Sequence, residues 1–228
     1  MLELRAFKYP LFSIGAVLVM ITMMIVFSMN MILPMFLEGA LKTTSFIAAI
    51  TLLPAVLVNG FMTPITGRIY DKIGAKVLVP AGYAIMCIFL GLLSRNISST
   101  MPLVVIIILY SFVCLGVSMT MAPGQTNSLN QLPKKYYPHG VAILTTLQQI
   151  AAAIGSSLFT GVMSAGQSNY LNNASDPDNT FQQIAGMVIG FRHSVLVALI
   201  IVMIAFVLSL FLKGNVIKSD YNKEASNI

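Results

Sequence analysis

Residues 67–76 read "GRIYDKIGAK" and set four charged side chains and two glycines between two long apolar runs, 46–66 and 77–94. Charged residues make up only 9% of the 228-residue chain, so their concentration here marks a connection in water between two segments that are not in water. The rest of the composition agrees. Hydrophobic residues amount to 57% and the mean hydropathy is +0.87, which leaves too little polar surface to coat a globule of this size. The chain therefore reads as an integral membrane protein whose first partner is the lipid bilayer.

Outward from this stretch, six apolar runs approach the ~20 residues that a helical span requires. They lie at 11–37, 46–66, 77–94, 102–124, 140–163 and 193–212. Helices satisfy their backbone hydrogen bonds within one segment, and these runs are about twice the length of barrel strands. The expected fold is an all-α, six-helix transmembrane bundle over residues 1–213, followed by a polar tail over 214–228. Arg5 and Lys8 precede the first run, but that run is too long for a secretory signal and ends in "LPMFLEG" without a small-residue cleavage pattern. It is read as a retained span.

Lysine and arginine are unevenly shared between alternate connections. Ten fall on the side of Arg5, the 67–76 stretch, Lys134 and Lys135, and the tail; three, Lys42, Arg95 and Arg192, fall on the other. The cation-rich side is cytoplasmic, which places both termini in the cytoplasm of a cell-membrane protein. The net charge of +6 is spread over these loops and forms no basic face, so nucleic acid is not an expected partner. The stretch "SAGQSNYLNNASDPDNTFQQIAG", 164–186, is rich in Asn, Gln, Ser and Asp and reads as a long solvated outer loop. Cys87 and Cys114 sit in apolar runs without metal-ligand spacing, so neither a metal site nor redox chemistry is expected.

Within the spans, Pro54, Pro64, Pro80, Gly82, Gly91 and the pair Pro123–Gly124 mark places where a helix bends or breaks, although membrane helices tolerate such residues. Pro54 and Pro123–Gly124 are the better hinge candidates. The fifth span holds small residues at i, i+4: Ala151 with Gly155, Ala152 with Ser156, and Ser157 with Gly161. Such pairs allow close approach of two backbones. Gln148 and Gln149 precede this stripe and are costly in hydrocarbon unless they face a neighbour or a wet cavity, as helix glue or as substrate contacts. Asn30, Asn59, Gln125 and Asn127 are further candidates for a cavity wall, with Thr22 on the same helical side as Asn30. Met20, Met23, Met24, Met29, Met31 and Met35 suit either an adaptable pocket wall or ordinary core and lipid contacts. No Asp, Glu, Lys, Arg or His falls in the middle of a span; Glu38 and His193 lie at span ends.

In "GRIYDKIGAK", Gly67, Asp71, Lys72, Gly74 and Lys76 follow the pattern G-x-x-x-D-[RK]-x-G-x-[RK], with Arg68 adding a cation. The glycines suit a tight turn, and the lone acid among cations suits an ion pair or a helix cap. This spacing resembles the loop signature of the major facilitator superfamily. Together with "MAPGQTNSLNQLPKKYYPHGVAILTTLQQIAAAIGSS", it resembles the carboxyl-terminal half of fourteen-span drug:proton antiporters of the EmrB/QacA type, over nearly all of residues 5–212. The resemblance implies one bundle of a two-bundle transporter, with Asp71 in a cytoplasmic latch and amphipathic or cationic compounds as substrates. It further implies that a proton gradient drives transport with no bound cofactor, and that the partner is an amino-terminal half or a second copy. "LELRAFKYPLFSIGA" likewise resembles an internal lead-in to the eighth or ninth helix. A truncated remnant or helper subunit stands as an alternative. An intramembrane serine protease would need Ser156 or Ser157 with His193, but "GSSLF" lacks the glycine expected after the serine, and the histidine falls at a different depth.

Overall fold

The computed structural model describes residues 7–174 and 176–212. The expected tail at 214–228 and the cations Arg5, Lys213, Lys218 and Lys223 lie outside the described residues. Among those described, the fold is all helical: α1 Pro10–Gly39, α2 Ser45–Ile73, α3 Ala75–Asn96, α4 Leu103–Asn130, α5 Tyr137–Asn172 and α6 Thr180–Ser209. A 3-10 turn, Lys134–Tyr136, leads into α5. All six helices are long and apolar enough to cross a bilayer.

The helix starts follow from local chemistry. Pro10 occupies the first turn of α1, where its missing N–H costs nothing. Thr44 caps α2 by accepting from the Ile47 N–H at 3.4 Å, and Asn179 caps α6 by accepting from the Phe181 N–H at 2.9 Å. The α2–α3 joint is a single residue. Gly74 has φ 74° and ψ 172°, a conformation that side-chain-bearing residues avoid, and its N–H closes α2 on the Tyr70 carbonyl at 2.8 Å.

Three expectations from the sequence are corrected here. The stretch 67–76 is not a loop: residues 67–73 are the last turns of α2, and only Gly74 is a turn. Arg68, Ile69, Tyr70 and Lys72 prolong a helix at little cost, so charge marks the exit from lipid and not the end of the helix. The 164–186 stretch is not a long loop either, because α5 runs to Asn172 and α6 starts at Thr180. Its Gln, Ala, Leu and Ile residues favour helix, and their polarity reports solvent and not coil. Finally, Pro54, Pro64, Pro80 and Pro123 all lie inside unbroken helices. A break within lipid would leave backbone groups unpaired.

α1 packs on α5, α4 and α6, while α4 packs on α3, α2 and α1; α3 also meets α6, and α5 meets α6. Exchanging helices one to three with helices four to six carries the α1–α5 contact into the α4–α2 contact and retains α1–α4 and α3–α6. That is the pattern of two three-helix repeats. Close approach depends on small residues. A Cβ on Gly82 of α3 would stand 2.8 Å from the Gly116 carbonyl oxygen of α4, and one on Gly166 of α5 would stand 2.9 Å from the Gly190 Cα of α6. Gly82 is therefore a packing residue.

The main core gathers Ile25, Met29, Ile32, Phe36, Tyr83, Met86, Val113, Phe159 and Phe191, with Phe36 and Phe191 stacked at 4.3 Å between ring centroids. It also holds a polar knot. The Thr22 and Tyr83 hydroxyls lie 2.8 Å apart, the Tyr83 hydroxyl donates to the Leu18 carbonyl at 2.7 Å, and Thr22 donates to Thr120 at 3.3 Å. The knot ties α1, α3 and α4 where no water is available.

Candidate functional site: a polar face on α1, α2 and α5

The helical period of α5 divides it into three sides. Gln148, Ala151, Ala152, Gly155, Phe159 and Met163 are buried. Ile150, Ile154 and Leu158 form an exposed apolar edge. Thr146, Gln149, Ser157 and Ser164 are exposed on the third side, with Ser156 and Thr160 half-buried beside them. A row of hydroxyls and amides at the depth of a span is unfavourable against lipid, so this side is built to meet protein or water.

Two concavities flank α1 on this face. A cleft of about 410 Å³ is lined by Met31 of α1 and by Ser156, Ser157, Thr160, Gly161 and Ser164 of α5. A second, of about 270 Å³, is lined by Val26 and Asn30 of α1, Val56, Asn59 and Gly60 of α2, and Tyr110 and Cys114 of α4. There the Tyr110 hydroxyl donates to Asn30 Oδ1 at 3.3 Å, and Asn59 Oδ1 accepts from Thr63 at 3.3 Å. Neither cleft is lined by a carboxylate, lysine, arginine or histidine. The surface offers neutral hydrogen-bonding groups on an apolar wall and no charged group.

The residues singled out in the sequence separate accordingly. Asn30 and Asn59 share one cleft. Asn127 and Gln148 point inward, and their amide nitrogens are buried without a partner among the described residues. Gln125 is half-buried, and Gln149 is exposed. Thr22 does not join Asn30: it is fully buried in the polar knot, while Asn30 is exposed. The eight-residue spacing leaves the two about 80° apart around the helix, enough to change face. The methionines do not form one wall, since Met29 is buried in the core while Met31 and Met35 are exposed.

Of the small-residue pairs, Ala151, Ala152 and Gly155 face inward, and a Cβ on Gly155 would stand 2.8 Å from the Met24 Cα of α1. Ser157 and Gly161 instead face outward, with no atom within 4 Å of a Cβ placed on Gly161. That pair therefore does not pack against another helix of this bundle; Ser157 lies about half a turn around the helix from Gly155, which faces it away from the bundle's interior. Three polar lining residues, Thr160, Ser164 and Tyr110, escape the sequence reading. Ser156, Thr160 and Ser164 recur at i, i+4 and i+8, a hydroxyl stripe that helical periodicity could have found. The protease arrangement does not form. Ser156 donates to the Ala153 carbonyl at 3.0 Å, and His193 lies beside Gly166, roughly 13 Å further along α5 than Ser157.

The signature residues gather at the α2–α3 joint. Arg68, Asp71, Lys72 and Lys76 are all exposed. Gly67 is helical with nothing within 4 Å of an added Cβ, so of the two glycines only Gly74 makes a turn. The α3 cap position is Gly74 and carries no side-chain bond, so Asp71 does not cap α3.

Residues 3–156 match the family model described as Major Facilitator Superfamily. The chain belongs to that superfamily. It is 42% identical over 213 residues to the lincomycin resistance protein LmrB of Bacillus subtilis, covering 93% of this chain and 44% of LmrB. It is 40% identical to the LmrB protein of Listeria innocua, with 93% and 45% covered. It is 34% identical over 214 residues to the MFS-type transporter YcnB of Bacillus subtilis, with 93% and 43% covered. The chain thus spans less than half the length of these relatives. As a member of the Major Facilitator Superfamily it is a multi-pass transporter-family protein and not an enzyme, and its six helices make half of the superfamily's fold.

Proposed function

We propose that this chain is the carboxyl-terminal bundle of a fourteen-span drug:proton antiporter of the EmrB/QacA type, which exports amphipathic or cationic compounds from the cell by alternating access. The observation that carries the reading is the neutral polar face of α1, α2 and α5, exposed in a chain that covers 44% of its lincomycin-resistance relative. An amino-terminal bundle, or a second copy, covers that face and closes the two clefts into one cavity.

On this reading both termini and the α2–α3 joint are cytoplasmic. Asp71, with Arg68, Lys72, Lys76, Gly67 and Gly74, latches the two bundles on that side, and Pro54 and Pro123–Gly124 are where α2 and α4 flex. The open space over Gly67 is room for the opposing bundle. The acids that carry protons belong to the other half.

Efflux of a fluorescent lipophilic cation, with and without a protonophore, tests the reading. The 228-residue chain alone, verified in the membrane, is expected to export nothing, and co-expression with the amino-terminal half of a relative such as LmrB is expected to restore protonophore-sensitive efflux. In the complete transporter, Asp71→Asn lowers efflux by roughly tenfold at unchanged abundance, the loss expected when a charge-assisted pair is broken. Undiminished efflux by that variant would sink the latch. Efflux by the chain alone would sink the half-transporter.

A further inference from the structure

Only three cations lie on the outer side of this chain by sequence, and two of them converge. Arg95, in the last turn of α3, and Arg192, on α6, line one groove of about 530 Å³ between the two helices. The groove continues over Leu92, Leu196 and Leu199, with Gly91 leaving a notch in the α3 wall. The nearest atom to a Cβ placed on Gly91 is a Leu199 methyl at 3.9 Å, so the notch is open and unstrained. Both guanidinium residues are exposed. Among the described residues neither is paired with a carboxylate.

This groove lies on the apolar side of the bundle, away from the polar face. Its neighbours Ile88, Ile200 and Ile204 are all exposed, as suits contact with lipid. Two guanidinium groups above an apolar furrow, at the outer end of a membrane helix, fit a single ligand chemistry. A phosphate accepts paired hydrogen bonds from the planar forks, and an acyl chain fills the furrow below. We propose that the α3–α6 groove binds an anionic phospholipid of the outer leaflet, with its phosphate held by Arg95 and Arg192 and one acyl chain seated over Gly91. Lysine at these positions would act as a point charge only, and a zwitterionic lipid would present its own cation to the same pair.

The test is native mass spectrometry of the full chain released from membranes into mild detergent, titrated with phosphatidylglycerol or phosphatidylcholine. Phosphatidylglycerol is expected to remain bound in preference, with retention falling roughly tenfold for each of Arg95→Gln and Arg192→Gln. Gly91→Leu fills the notch without touching either charge and is also expected to release the lipid. It tests the furrow separately and covers the case in which an arginine variant fails to fold. Equal retention of the two lipids, or unchanged retention in the variants, overturns the proposal. Inorganic phosphate that displaces phosphatidylglycerol and binds alone with similar strength also overturns it, because the site would then recognise an anion and not a lipid.

Discussion

The two flanks of this bundle are both made from helices apolar enough to cross a bilayer, yet they expose opposite chemistry. Along α3 and α6 the exposed positions at the depth of the spans are Ile88, Leu92, Leu196, Ile200, Met203 and Ile204. Along α5 they include Thr146, Gln149, Ser157 and Ser164, and α1 adds Asn30. Averaged hydropathy is lower for α5 than for α3 and α6, but an average does not say on which side of the helix the polar groups fall. What distinguishes the flanks is where on the helix the polar groups fall, and therefore which solvent each flank was selected to meet.

The largest test of that contrast is a charge placed on each flank. Ile200→Lys, on the α6 lipid face, should cost about 3 kcal/mol of membrane insertion and show as lost protein in the membrane fraction. Ser157→Lys on the α5 polar side should leave abundance near normal. Equal loss for both would erase the distinction between the flanks. Next comes Gly155→Leu, which drives a side chain into the Met24 backbone and should destabilise the α1–α5 contact by about 2 kcal/mol, seen as an earlier thermal transition in detergent. Gly161→Leu, on the open side of the same helix, should shift that transition little. The smallest expected effect is Tyr83→Phe, which removes the hydroxyl bonded to Leu18 and Thr22. It should cost about 1 kcal/mol, and denaturant midpoints would report it.

Much of this is legible in the residues. The number of helices follows from apolar runs of span length, and the superfamily from the spacing of Gly67, Asp71, Lys72, Gly74 and Lys76. Gly155 as a close-packing residue follows from its place in a small-residue stripe. What misleads is treating polarity as a sign of coil. The 164–186 stretch and residues 67–73 are polar because they leave the lipid, yet they stay helical over most of their length because little in them breaks a helix.

The sequence by itself determined that the chain crosses the membrane as helices, because a backbone in lipid has no other way to satisfy its hydrogen bonds within one segment. The sequence places the end of α2 too early: the helix runs on to Ile73, and of Gly67 and Gly74 only Gly74 turns the chain. The tertiary structure decided which polar residue serves what. Thr22 and Asn30 are alike in polarity and close in sequence, but helix packing buries one in the Thr22–Tyr83–Thr120 knot and leaves the other in an open cleft. Arg95 and Arg192 are far apart in sequence, and only the packing of α3 on α6 brings them to one groove. Periodicity fixes the angle of a side chain on its own helix; what stands opposite that angle depends on contacts between helices distant in the chain.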